Sequence, residues 1–274
     1  MPNGRTGLGK FAHSKGIAPE RNTGKLVRVM SRFTEALESA LGALESIRQT
    51  CDSPPRASRS ALLRLLEARP DKAAKLSRMQ ARVADCLKCP HLASSRTQTV
   101  FGIGNPDAEL MFIGEAPGAD EDRQGEPFVG RAGQLLNRII ATMGFSRDEV
   151  YIANVLKCRP DMPAGGPGNR KPTPQEMATC LPYLTEQIEI IGPKVLVALG
   201  ATAVEGLLQI REPMGRLRGR WHSYGGTPLM ITFHPSYLLR NQTSTEKRKV
   251  WEDMLLVLER LERPISEKQR NFFR

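Results

Sequence analysis

Four short apolar runs, each closing on an unusual sequence, constrain this chain more than any other feature. Leu110-Met111-Phe112-Ile113 runs straight into Gly114-Glu115-Ala116-Pro117-Gly118, with Glu121-Asp122 close behind. The run at 150–155 contains Asn154, the run at 194–199 leads into Gly200-Ala201-Thr202, and the run at 228–233 leads into His234-Pro235-Ser236. Stretches of helical periodicity or composition separate them, at 131–143, 174–191, 201–208 and 245–262. Strand and helix in alternation predict a doubly wound α/β fold: three layers, α/β/α, around a sheet of four parallel strands. In such a sheet all four carboxyl ends share one edge. Glu115, Glu121, Asn154 and His234 should therefore converge on one cleft, with Gly and Pro in its loops for close backbone approach.

The part before the first strand is of another kind. Residues 1–30 are rich in Gly, Asn, Arg and Lys, with Glu20 as the single acid, and read as a basic disordered tail; Met30 is an alternative start. Phe33, Leu37, Ala40, Leu41, Leu44 and Ile47 recur at helical spacing and predict a helix over 32–49. A Pro-rich linker at 52–56 and a short helix at 60–68 follow. Asp71 then caps a helix whose Leu76, Met79 and Val83 face inward and which delivers Cys86. The domains expected are a tail (1–30), a helical extension (31–78), a main α/β domain (79–264) and a C-terminal tail (265–274). The Arg- and Gly-rich stretch 211–226 reads as a loop or irregular hairpin.

Charge follows the same division. Of a formal net charge of +11, residues 1–85 hold +8, from 16 Lys and Arg against 8 Asp and Glu. A polyanionic partner is thus suggested mainly by the N-terminal part, although many solvated tails are basic. No run approaches the about 20 apolar residues of a membrane span. Five cysteines, an odd number, without a secretion signal fit a reducing, cytoplasmic compartment. Cys86 and Cys89 form a C-x-x-C pair that suits zinc, a redox couple or an iron–sulfur cluster. Cys158 and Cys180 complete four thiols with no nearby His for a mixed zinc site. Their irregular spacing suits a [4Fe–4S] cluster better than a zinc ribbon, which wants a second close pair. Cys51 is left over.

The segments Gly114–Gly118, Pro127-Phe128-Val129-Gly130-x-Ala132-Gly133-x-Leu135-Leu136, Asn154-Val155-Leu156-Lys157-Cys158-Arg159-Pro160 and His234-Pro235-Ser236-Tyr237-Leu238-Leu239-Arg240 occur in one order. In these, the chain resembles the iron–sulfur (family 4) uracil-DNA glycosylases over about residues 79–262. The Gly/Pro-rich piece Pro163–Gly168 departs from the compact family pattern. The resemblance implies an enzyme of base excision repair acting on uracil-containing DNA, a [4Fe–4S] cluster on Cys86, Cys89, Cys158 and Cys180, and a monomer. It leaves the N-terminal extension for a repair or replication partner.

It also implies roles. An excision enzyme flips the nucleotide into a pocket. Phe128 is the stacking platform, and Asn154 reads the base edge, its amide offering one donor and one acceptor. Uracil presents an acceptor at O4 and a donor at N3, whereas cytosine presents the reverse. His234 donates to uracil O2 as the leaving base gains charge. Glu115 or Glu121 stabilises the cationic sugar or positions water. Ala116 stands where family 1 carries an Asp, and Gly118 where family 1 carries a bulky residue that bars thymine; Glu121 is the candidate for both vacancies. Asn169 matches a second site Asn. In the DNA-facing segment, Ser236 precedes Leu238 as the wedge and Arg240 as the phosphate contact. Other readings are a product-trapping relative, which needs a His absent from Asn169–Thr173, and a catalytically silent, metal-stapled DNA-binding or polymerase-associated module.

Overall fold

The computed structural model describes residues 71–162 and 168–274. The tail at 1–30, the helices at 32–49 and 60–68, their linker, Cys51 and the piece 163–167 lie outside the described residues. Residues Arg69–Arg274 form one compact unit. The chain enters it through α1 (Lys72–Ala84), whose first turn is capped by the Asp71 carboxylate accepting from the Ala74 amide at 2.9 Å. Leu76, Met79 and Val83 lie on one helical stripe and are buried, so the boundary expected at residue 79 falls inside this helix. A short helix, α2 (Pro90–Ser95), follows directly after Cys89.

Four strands form the parallel core: β2 (Leu110–Gly114), β3 (Tyr151–Asn154), β4 (Val195–Leu199) and β6 (Thr227–Thr232). Every residue of β2, β3 and β4 is buried, as strands covered on both faces must be. The sheet is wider than expected. A two-residue strand, β1 (Ile103–Gly104), adds antiparallel to β3, and β5 (Trp221–Tyr224) adds antiparallel to β6, giving the order β1-β3-β2-β4-β6-β5. The stretch 211–226 therefore ends as one arm of a hairpin, after a short helix α7 (Met214–Leu217).

Alternation along the strands sorts side chains to the two faces. Met111, Ile113, Leu196 and Ala198 pack on one side with α1, α5 (Pro174–Ile191) and α6 (Ala201–Leu208). Leu110, Phe112, Val195 and Val197 pack on the other with α4 (Arg131–Thr142) and α9 (Ser244–Arg260). These are the three α/β/α layers. Two further helical turns stand at the strand ends, α3 (Ala119–Gln124) after β2 and α8 (Pro235–Arg240) after β6. The expected C-terminal tail carries one more, α10 (Glu267–Arg270).

Candidate active site

Chain direction across the sheet reverses between β2 and β4: β3 lies to one side of β2, β4 and β6 to the other. Crossovers diverge at such a point and leave a crevice at the carboxyl ends of the strands. A cleft of about 520 Å³ opens there, and its walls include Glu115, Ala116, Gly118, Glu121, Phe128, Asn154, Asn169, His234, Ser236 and Arg240. The structure thus brings together all the residues singled out for the site except Leu238 and the four cysteines.

Asn154 forms the floor. It is 1% exposed, and both its Oδ1 and Nδ2 are buried without a hydrogen-bond partner among the described residues. An unpaired buried amide is costly, on the order of 1–3 kcal/mol, and native structures seldom keep one without a use. Phe128 stands beside it with its backbone at φ 55°, a left-handed conformation that costs a non-glycine residue energy. Gly114 lets the two approach. A Cβ at 114 would lie 2.4 Å from Asn154 Oδ1 and 2.5 Å from Phe128 Cζ.

His234 caps α8. Its Nδ1 accepts from the Ser236 amide at 3.1 Å and lies 2.8 Å from Ser236 Oγ. A backbone N–H only donates, so Nδ1 carries no proton and the neutral ring carries it on Nε2. Burial first, then the Arg240 charge, pushes the His234 pKa down to about 4, against an opposing pull from Glu121. Near neutral pH the ring is therefore an uncharged Nε2–H donor. Its ring centroid is 5.7 Å from that of Phe128.

The two glutamates differ. Glu121 Oε1 accepts from the amides of Val129 (2.9 Å) and Gly130 (3.0 Å), and Oε2 accepts from that of Gly118 (3.1 Å). It staples the two cleft loops together, a duty that motif reading missed. Its Oε2 also fills the space over Gly118, 2.6 Å from where a Cβ would stand. Burial raises the pKa of Glu115, with Thr202 and Lys171 pulling the other way. Asn169 Oδ1 accepts from Arg159 Nε at 3.4 Å, and its Nδ2 faces Gly118.

The four cysteines gather on the α1 side, around one small cavity shared with Arg96 and Tyr183. All are free thiols. Arg96 Nη1 donates to Cys158 Sγ at 3.0 Å and the Lys157 amide to Cys180 Sγ at 3.3 Å. Neither donor was foreseen, since neither belongs to the cysteine spacing. Close by, and against the expectation of no nearby His, stands His91, two residues after Cys89; its ligand atom and those of Asp161 and Glu176 lie within 4.8 Å of one another. Arg170 already occupies that acidic pair, donating to Asp161 and, at 2.6 and 2.9 Å, to both oxygens of Glu176, so the group reads as an ion-pair network.

The family model described as the uracil DNA glycosylase superfamily matches residues 101–255, which include the cleft. The chain belongs to the uracil-DNA glycosylase superfamily. It is 47% identical over 175 residues to a type-4 uracil-DNA glycosylase of Thermotoga maritima, covering 63% of this chain and 88% of that one. It is 43% identical to that of Saccharolobus solfataricus, covering 62% and 79%, and 39% identical to that of Archaeoglobus fulgidus, covering 62% and 88%.

One position in this superfamily member departs from the reading of its motif. Leu238 was expected as an exposed wedge, yet it is 5% exposed. Pro235 opens a helical turn, and three residues on, Leu238 falls on the same inward stripe as Pro235, beside Ile139, Val250 and Trp251. Leu238→Ala is therefore expected to cost about 2–5 kcal/mol of stability and to slow single- and double-stranded substrates alike. Denaturant titration and paired single-turnover assays check this; normal stability with a loss confined to duplex would restore the wedge. Among the described residues no helix is long and apolar enough to cross a membrane.

Proposed function

We propose that this chain flips uracil out of DNA and hydrolyses its N-glycosidic bond, leaving an abasic site for base excision repair. One observation carries the proposal: the buried, partnerless amide of Asn154 at the floor of the cleft, beside Phe128. With Oδ1 towards N3 and Nδ2 towards O4, the orphaned acceptor and donor match the N3–H and O4 of uracil and oppose both groups of cytosine, which leaves buried polar groups unpaired when cytosine enters. Phe128 supplies the stacking face. As the bond breaks, negative charge grows on the base and positive charge on the sugar. The Nε2–H of His234 meets the first at O2. Glu115 and Glu121 hold negative potential on the cleft wall for the second, and Glu115, lacking the backbone bonds of Glu121, is the better placed to orient water. Arg240, exposed at the rim with no ion pair among the described residues, suits a phosphate. Incubation with a uracil-containing oligonucleotide, then alkali, should cut the strand at the uracil. An intact strand, with protein that still binds the DNA, would favour a silent binding module.

Four free thiols around one cavity, two of them accepting N–H bonds, fit a [4Fe–4S] cluster held by Cys86, Cys89, Cys158 and Cys180. Bound there, the cluster would serve as a structural staple joining α1, the segment after β3 and α5. Purified protein should then be brown, absorbing near 400 nm, and lose that colour when any of the four is replaced but not when Cys51 is. Colourless protein with stoichiometric zinc would refute it. This reading places the protein in the DNA-containing cytoplasm as a monomer, with the domain expected at 79–264, together with the rest of α1, as the catalytic domain and the residues before α1 left for a repair or replication partner.

A further inference from the structure

No side-chain hydrogen bond aims the amide of Asn154, since both of its polar atoms are unpartnered. The place of the amide in the cleft follows the backbone, at the last residue of β3. The carbonyl of that residue accepts from Lys157 Nζ at 3.0 Å. Lys157 is 1% exposed, although lysine is almost never fully buried unless paired. Its ammonium also donates to Gln187 Oε1 at 2.5 Å and lies 6.0 Å from the centroid of the Phe101 ring, the Cys180 thiol favours its charge, and no carboxylate pairs with it among the described residues. Gln187, fully buried on α5, is itself fixed by donating to the Phe101 carbonyl at 3.0 Å and Tyr151 Oη at 3.3 Å. The network is closed and anchored on three segments, and its one contact with the cleft is the main chain of Asn154. Burying an ammonium without a carboxylate partner is costly, by several kcal/mol. An apolar side chain would fill the volume at lower cost, so packing alone does not account for lysine here.

We propose that Lys157 is a positioning residue for base recognition, pinning the Asn154 main chain so that the amide meets the uracil edge without adjustment. The proposal rests on the reading of Asn154 as edge reader. It gives the segment 154–158 a double function within five residues: Asn154 reads the base, Lys157 holds it in register, and the Lys157 amide and Cys158 face the thiol cavity.

A double-mutant cycle tests it, with single-turnover rates for Asn154→Ala, Lys157→Met and the pair, alongside inhibition by free uracil and affinity for uncleaved duplex. Lys157→Met should slow the chemical step about 10- to 100-fold, the size of effect that a misplacement near 1 Å produces. It should weaken free uracil about tenfold and leave duplex affinity within about twofold. The pair should be no slower than Asn154→Ala alone, because a pin has nothing left to position. Should Lys157→Met fail to fold, Lys157→Gln carries the same expectations. A wild-type rate and uracil affinity in the lysine variant, or losses that multiply in the pair, would overturn the proposal while leaving Asn154 in place. A wild-type rate in Asn154→Ala would instead bring down the edge-reader assignment, and the role of Lys157 with it.

Discussion

His234→Ala is expected to lower the single-turnover rate of uracil release about 100- to 1,000-fold, the usual cost of one lost oxyanion donor. DNA affinity should barely change, because it comes mainly from phosphate contacts that this side chain does not make. The tautomer makes the expectation specific. With Nδ1 committed to the Ser236 amide, only Nε2 has a hydrogen to offer the cleft. The pKa of about 4 adds a pH signature. Titration of His234 should leave the rate level from pH 8 down to about 5. Stability has the opposite sensitivity: the unfolded chain takes up a proton near 6.5 and the folded site does not, so the contribution of neutral His234 is present above 6.5 and lost as pH falls towards 4. His234→Ala should remove that slope. Unchanged chemistry with weakened DNA binding in the variant would make His234 a helix cap and nothing more.

Asn154→Asp is expected to be at least as damaging, about 100- to 10,000-fold on uracil. The carboxylate still accepts from N3–H but faces O4 with a second acceptor, in a site that offers it no donor. At low pH the protonated acid, with its hydrogen on either oxygen, can meet the cytosine edge as well as that of uracil, so part of the loss on uracil should be recovered there. A small release of cytosine should therefore appear, most clearly at low pH. Chromatography of bases freed from matched uracil and cytosine duplexes measures both effects. Wild-type release of uracil would mean that another group reads the base.

Much of this was legible in the sequence because its signals are strong ones. β2 and β4 are unbroken apolar runs, and each parallel strand lies within a residue or so of where the pattern put it. The edge strands were not legible for opposite reasons. β1 is two residues long and has no period to read, while β5, Trp-His-Ser-Tyr, is half exposed and embedded among Arg and Gly. Motif order located the cleft residues, since a doubly wound sheet brings its strand ends together whatever the loops between them do. Motif order did not show what each group is bonded to. Glu121 looks like a free carboxylate until its three backbone donors are seen, and Leu238 looks exposed until the turn begun by Pro235 rotates it inward. Lys157 lies within one of the motif segments, but nothing there marks it as buried, because a lysine between Leu156 and Cys158 is ordinarily assigned to solvent.

The most direct measurement is a crystal structure of the protein with free uracil. Uracil is expected in the cleft, stacked on Phe128, with Asn154 Oδ1 within about 3.2 Å of N3, Nδ2 within about 3.2 Å of O4 and the Nε2 of His234 at O2. Uracil bound elsewhere, or bound here with the Asn154 amide still unpaired, would contradict that expectation.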